Sequence, residues 1–204
     1  MSAVMLGTIA AGLWLIGWLD HRIEPGKSVR VAVFMACILG DVLSGLILGQ
    51  GEFLTRLSLS LVMGCLLLAC ITDIAICQVY NFVWWISGTA AAVLFTVRRP
   101  EASAVWEVLW FSLLQMMLFA RMYGKADCYA FCVCAIVEAG LGFGPAGFLM
   151  HMLASFLLLA AVQAAQRNIG PEGRLKKPVP FLPYITMGFY LVLIFLLFTV
   201  VFSA

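Results

Sequence analysis

Apolar residues run in long, nearly unbroken stretches along this chain, and the polar residues gather between them. Eight such stretches can be drawn: 3–19, 31–49, 54–72, 80–97, 104–120, 128–143, 145–166 and 181–202. Most approach the roughly 20 residues of helix that cross a bilayer core about 30 Å thick. Backbone N–H and C=O groups in lipid must pair within their own segment, so each stretch predicts a helix. The links are short; the longest is 167–180, RNIGPEGRLKKPVP, rich in Gly, Pro and charge. No soluble domain is inserted and no internal repeat is visible. The pattern predicts an all-α polytopic membrane protein with about eight transmembrane helices. Residues 1–204 form one integral membrane domain, with two N-terminal helices in 1–52 and six in 53–204.

Composition agrees. Hydrophobic residues make up 64% of the chain and charged ones 11%, against about 25% charged in soluble domains. The net charge of +2 comes with no basic stripe, so nucleic acid is not an expected partner and membrane lipid is. The run 3–19 follows no basic stretch and leads into no small-residue cleavage site, so it is expected to stay in place. Seven cysteines include no CxxC pair. Cys128 and Cys132 share a helix face, but a zinc site usually needs four clustered ligands. No metal or cofactor is expected.

Basic residues set the orientation. The links after helices 1, 3, 5 and 7 hold nine: Arg22, Lys27, Arg30, Arg121, Lys125, Arg167, Arg174, Lys176 and Lys177. The other links hold three: Arg56, Arg98 and Arg99. The first set is therefore expected on the cytoplasmic side of the cell membrane, with both chain ends outside.

Two acids then fall at the cytoplasmic face. Asp73 lies in TDIAICQVYN (72–81), and Asp127 in MYGKADCYAFCVCAIV (122–137), at the head of an otherwise apolar run. Two spans separate them, so the chain leaves that face and returns to it. Two carboxylates brought together can share a proton, one activating a water while the other donates to a carbonyl oxygen. Asp73 is expected just past a helix C-terminus and Asp127 at a helix N-terminus. The helix dipoles would then make Asp127 the better base and Asp73 the better acid. The plainer reading is that both are interface residues, Asp127 being an N-cap.

Three short motifs carry a resemblance. Asp73 is followed eight residues on by Asn81, in Val79-Tyr80-Asn81. Gly124-Lys125-Ala126-Asp127 opens a later helix. Val179-Pro180-Phe181-Leu182-Pro183-Tyr184 precedes the last one. In this order, and over 53–204, they resemble the type IV prepilin peptidases, membrane aspartic proteases with a D-x6-[IV]-P-N motif, a GxGD motif and often an [IV]-P-[FY]-x-P-[FY] stretch. The resemblance implies an aspartic endopeptidase that removes the short leader of prepilin or pseudopilin substrates at the cytoplasmic face, just before the substrate's apolar helix. Asp73 and Asp127 would be catalytic. Asn81, Gly124, Lys125, Ala126, Pro180 and Pro183 would shape the site. The chain departs from the pattern at Tyr80, which stands for Pro, and at Ala126, which stands for the second Gly. The lysine often found soon after the second aspartate is also missing. These departures mark a divergent member. The link at 20–30 has no room for the cytoplasmic domain that methylating members carry there, so peptidase activity alone is expected. Presenilin-like proteases set both aspartates inside helices and carry a PAL motif, which this chain lacks.

Deeper polar residues suggest an alternative. Asp41, Glu107, Glu138 and His151 lie within apolar runs, where ionisable groups mark ion paths or buried pairs. They frame a second reading as a small proton-coupled transporter, and an inactive peptidase-like scaffold is a third. Glu138 lies eleven residues past Asp127, about 16 Å deeper on the helix. GFGPAG (142–147) fits GxGxxG but has no strand before it, so it reads as a turn between helices. From Cys128 to the glycines at 140 and 142 helix 6 is only about 21 Å long. A span that short predicts a thinned bilayer or an aspartate below the cytoplasmic surface, with water reaching it.

Overall fold

A computed structural model describes residues 1–19, 23–48, 52–166 and 179–202. Among them there is no strand. Eight α-helices follow in order: α1 Ser2–Leu19, α2 Lys27–Leu48, α3 Phe53–Ile76, α4 Asn81–Arg98, α5 Ala102–Leu114, α6 Lys125–Gly140, α7 Pro145–Ala165 and α8 Leu182–Phe202. Six reach membrane-spanning length and hydropathy: α1, α2, α3, α5 with its continuation to Phe119, α7 and α8. α4 is less apolar, with Asn81, Ser87, Thr89, Thr96 and Arg98 among its 18 residues, and α6 is shorter, at 16 residues. His21, Arg22 and the basic segment 167–178 lie outside the described residues.

α3 forms the centre. From Val62 to Thr72 every residue is buried, as expected of a helix apolar on all sides and enclosed by others. α1, α2 and α4 pack on it, and α8 lies against α2, α3 and α7. α6 is the second enclosed helix: 11 of its 16 residues are buried, against α4, α5, α7 and α8. The outer helices do the reverse. Trp14, Trp18, Phe34, Met35, Trp106, Trp110, Leu153 and Leu157 are all exposed. Apolar surface on that scale needs a nonaqueous surround. The chain is a multi-pass helical membrane protein.

Three boundaries differ from the sequence pattern, and all three concern the candidate site. α3 continues through Ile76, so Asp73 stands in its last turn rather than beyond it. Ile74, Ala75 and Ile76 offer no Gly or Pro to stop a helix; the stop comes at Cys77, which takes φ 53° and returns its N–H to the Asp73 carbonyl at 2.9 Å. α6 opens at Lys125, so Asp127 lies in its first turn and Gly124, not Asp127, holds the N-cap position. The stretch drawn as one helix over 104–120 ends in a π-helical turn, Gln115–Phe119. There the Ala120 N–H reaches the Gln115 carbonyl at 3.0 Å. Single π turns inside α-helices are frequent at functional sites.

Candidate active site

The last turn of α3, the first turn of α6 and the first turn of α8 meet at one end of the bundle. α3 supplies Asp73, which is half-buried, and α6 supplies Asp127, which is buried. The two carboxyls lie within electrostatic reach of each other. α8 supplies backbone: the Leu182 N–H donates to Asp73 Oδ2 at 3.3 Å, and the Phe181 N–H also faces that carboxylate. The N-terminal N–H groups of a helix have no partner within it and favour a negative charge. Each of the three sequence motifs thus brings one part.

Asp127 stands outside the six spans. Burial first, and the Asp73 carboxylate second, push its carboxyl up to about 7. Burial disfavours an ionised acid, and a like charge nearby disfavours it further. Asp73 accepts hydrogen bonds from the α8 amides, which favour its charged form. Burial and the neighbouring carboxylate thus act on Asp127 against the split expected from the helix ends.

The turn before α6 rests on glycine. Gly124 adopts φ 110° and ψ 156°, a region that L side chains rarely enter. A Cβ at Gly124 would stand 3.4 Å from Asp127 Oδ2. Ala126, where the motif has its second glycine, is in ordinary helix, so the residue that needs a glycine backbone is the one retained. Asn81 and Lys125 are exposed at the first positions of α4 and α6, outside the buried part of the site. Pro180 and Pro183 are half-buried. They flank Phe181 and Leu182, and Pro183 takes an early α8 position where a missing N–H costs nothing.

An aromatic cluster fixes these turns. The Tyr123 ring lies 5.6 Å from Phe181, 5.9 Å from Phe131 and 5.7 Å from Phe156, all edge-on. The Tyr123 hydroxyl donates to Gln115 Oε1. Gln115 is fully buried, and its backbone carbonyl oxygen accepts from the Cys128 thiol at 3.2 Å. Gln115 and Tyr123 are absent from the sequence-derived set. The one signal was a lone amide inside FSLLQMMLFA. A second rung joins α3 to α8 one turn from Asp73, where Cys70 Sγ meets Thr186 Oγ1 at 3.1 Å. Both line an apolar groove of about 760 Å³, which Ala36, Ile71, Ile74 and Pro183 also line.

The deeper polar residues fall in three separate places. Asp41 Oδ1 lies 3.9 Å from Arg56 and 3.4 Å from the Met1 amine. Glu107 borders a cavity of about 450 Å³ with Arg98, Arg99 and Glu101, at the end of α6 opposite Asp127. Glu138 and His151 pair with each other. In the GFGPAG segment Gly142 takes φ 92° in a turn, and α7 begins at Pro145. Among the described residues no cluster of three or more His, Cys, Asp or Glu could hold a metal. Comparison with family models, with curated proteins and with solved structures gives no match.

Proposed function

We propose that this chain is a membrane aspartic endopeptidase that removes the short leader of type IV prepilin-like proteins at the cytoplasmic face of the cell membrane. The observation that carries the reading is the convergence of Asp73, Asp127 and the α8 amides at one end of the bundle. The resemblance of the three motifs supplies the substrate class, a protein with an apolar N-terminal helix. The apolar groove between α2, α3 and α8, which Ile74 lines next to Asp73 in sequence, supports it, because it offers a wall against which that helix can lie. No cofactor takes part.

Asp73 begins ionised and takes a proton from water as the water oxygen attacks the scissile carbonyl carbon. Asp127 gives its proton to the carbonyl oxygen. The tetrahedral diol that results then collapses: the C–N bond breaks, Asp73 returns its proton to the leaving amine, and Asp127 recovers one from the diol hydroxyl. The carboxyls end as they began. The two act as one unit and titrate as one.

This assignment gives a pH dependence. Asp127 must be protonated, and an acid with its pKa raised to about 7 holds its proton below that value and loses it above. Leader removal by membranes in pH-jump assays should therefore fall as pH rises through about 7. A rate that climbs steadily from pH 6 to pH 9 contradicts Asp127 as the acid. Orientation is tested separately, in a background without native cysteines. The exposed positions Gln78 and Glu101, each replaced by cysteine, should be labelled from the cytoplasm and from outside, respectively. The opposite pattern puts the aspartates on the wrong side for this substrate.

A further inference from the structure

Glu138 and His151 form a buried pair that the proposed chemistry does not use. Glu138 is fully buried on α6, and His151 is 1% exposed on α7. His151 Nδ1 lies 2.8 Å from Glu138 Oε1, and Nε2 lies 2.9 Å from the Ile185 carbonyl oxygen of α8. A carbonyl only accepts, so Nε2 carries a proton. Nδ1 and Oε1 at this distance call for one further proton between them, and the pair is then neutral whichever atom holds it. A lone buried carboxylate is costly, so each residue depends on the other. The ring is gripped by Phe131 at 5.2 Å and Phe189 at 5.9 Å. Gly188 lets α8 come this close to α7, since a Cβ there would run into the Ser155 hydroxyl and stand 3.0 Å from His151 Cδ2.

Ile185 belongs to the first turn of α8, the turn whose Leu182 N–H donates to Asp73. We propose that the Glu138–His151 pair is a positioning device for the aspartates: the imidazole holds the first turn of α8 from one side, and that turn presents its amide to Asp73 on the other. Glu138, His151 and Ile185 come from three helices, so one ring sets the α8 turn relative to both α6 and α7. The consequence for rate rests on the peptidase reading; the consequence for the α3–α8 seam does not.

The test replaces both members by apolar residues, His151→Phe with Glu138→Leu. Such exchanges of a buried ionic pair are often neutral in stability, but here they remove the donor to Ile185. Two readouts follow. The first needs no peptidase activity. With Cys70 as the one remaining cysteine, its alkylation by N-ethylmaleimide reports whether the Cys70–Thr186 rung stays closed. It should speed up about fivefold, as expected of a locally loosened seam. The second is leader removal from a co-expressed prepilin: kcat should fall about tenfold at unchanged KM, the size of a lost hydrogen bond to a charged group. Glu138→Gln is the conservative control, because an amide N–H can bridge to Nδ1 and leave the Nε2–H on Ile185; both readouts should stay within about twofold of the parent. If the double variant does not fold, Gly188→Ala serves in its place, since it wedges α8 off His151 and should move both readouts the same way. Faster alkylation in a chain whose parent cleaves no prepilin keeps the positioning role and ends the peptidase reading. Unchanged alkylation and kcat in a variant that melts at the parent's temperature overturn the proposal.

Discussion

Asp73→Asn and Asp127→Asn should each abolish leader removal from a co-expressed prepilin, with a loss of at least about 10³-fold and no change in membrane insertion. An amide cannot take a proton from water. Nor can it supply the labile proton that passes to the carbonyl oxygen and back. Each carboxyl therefore depends on the other, and either single variant should lose nearly as much as the double, the non-additivity of residues that act as one unit. Folding should survive in both. Asn at 73 still accepts the Leu182 N–H through its carbonyl oxygen, and Asn at 127 replaces a buried carboxyl by a neutral amide of the same shape. The measurement is the gel shift of the substrate in membranes, with the double variant alongside. Substantial cleavage by either single variant ends the two-carboxylate mechanism.

The second large effect is expected at Gly124, from backbone alone. Gly124→Ala places a Cβ on a residue at φ 110°, which costs of order 1–3 kcal/mol if the conformation is kept. Space is not the obstacle, since the nearest contact is an ordinary 3.4 Å to Asp127 Oδ2. The chain should instead relax by rotating at 124, and that rotation moves the start of α6 and Asp127 with it. Leader removal should fall about 100-fold, as a small displacement of a reacting group can cost, while the protein remains inserted. Ala126→Gly, which restores the motif's second glycine, is the contrast. Position 126 is helical, so glycine there weakens the first turn by about 1 kcal/mol and gains nothing. Its rate should stay within about threefold of the parent. Equal losses at the two positions contradict the assignment of the strained backbone to Gly124.

Asp73 and Asp127 were legible in the sequence as candidates because carboxylates at the edges of apolar runs stand out against a background that excludes them; Gly124 entered through the resemblance of its motif. The meeting of α3 and α6 at one end followed from counting helices between the acids. Leu182 was not legible as a participant, since its part is a backbone N–H and any residue but proline would carry it. The division of roles between Asp73 and Asp127 was less legible for a related reason. Helix-end position can be read from a pattern, whereas burial of Asp127 depends on which helices enclose α6. Gln115 and Tyr123 act through a π turn that a periodicity of 3.6 cannot reveal. Glu138 and His151 were visible as unusual residues in apolar runs, but their pairing depends on the side-by-side placement of α6 and α7.

The enclosure of α6 also bears on how the protein meets different lipids. A helix that faces acyl chains is matched to their thickness by tilting or by deforming the bilayer around it. α6 is about 24 Å long at 1.5 Å per residue, short of the hydrocarbon core, yet most of its surface touches protein. Lipid has little purchase on it. The level at which Asp127 sits is then set by the helices packed on α6. A change of bilayer thickness would reach that carboxylate chiefly through the exposed faces of α5 and α7.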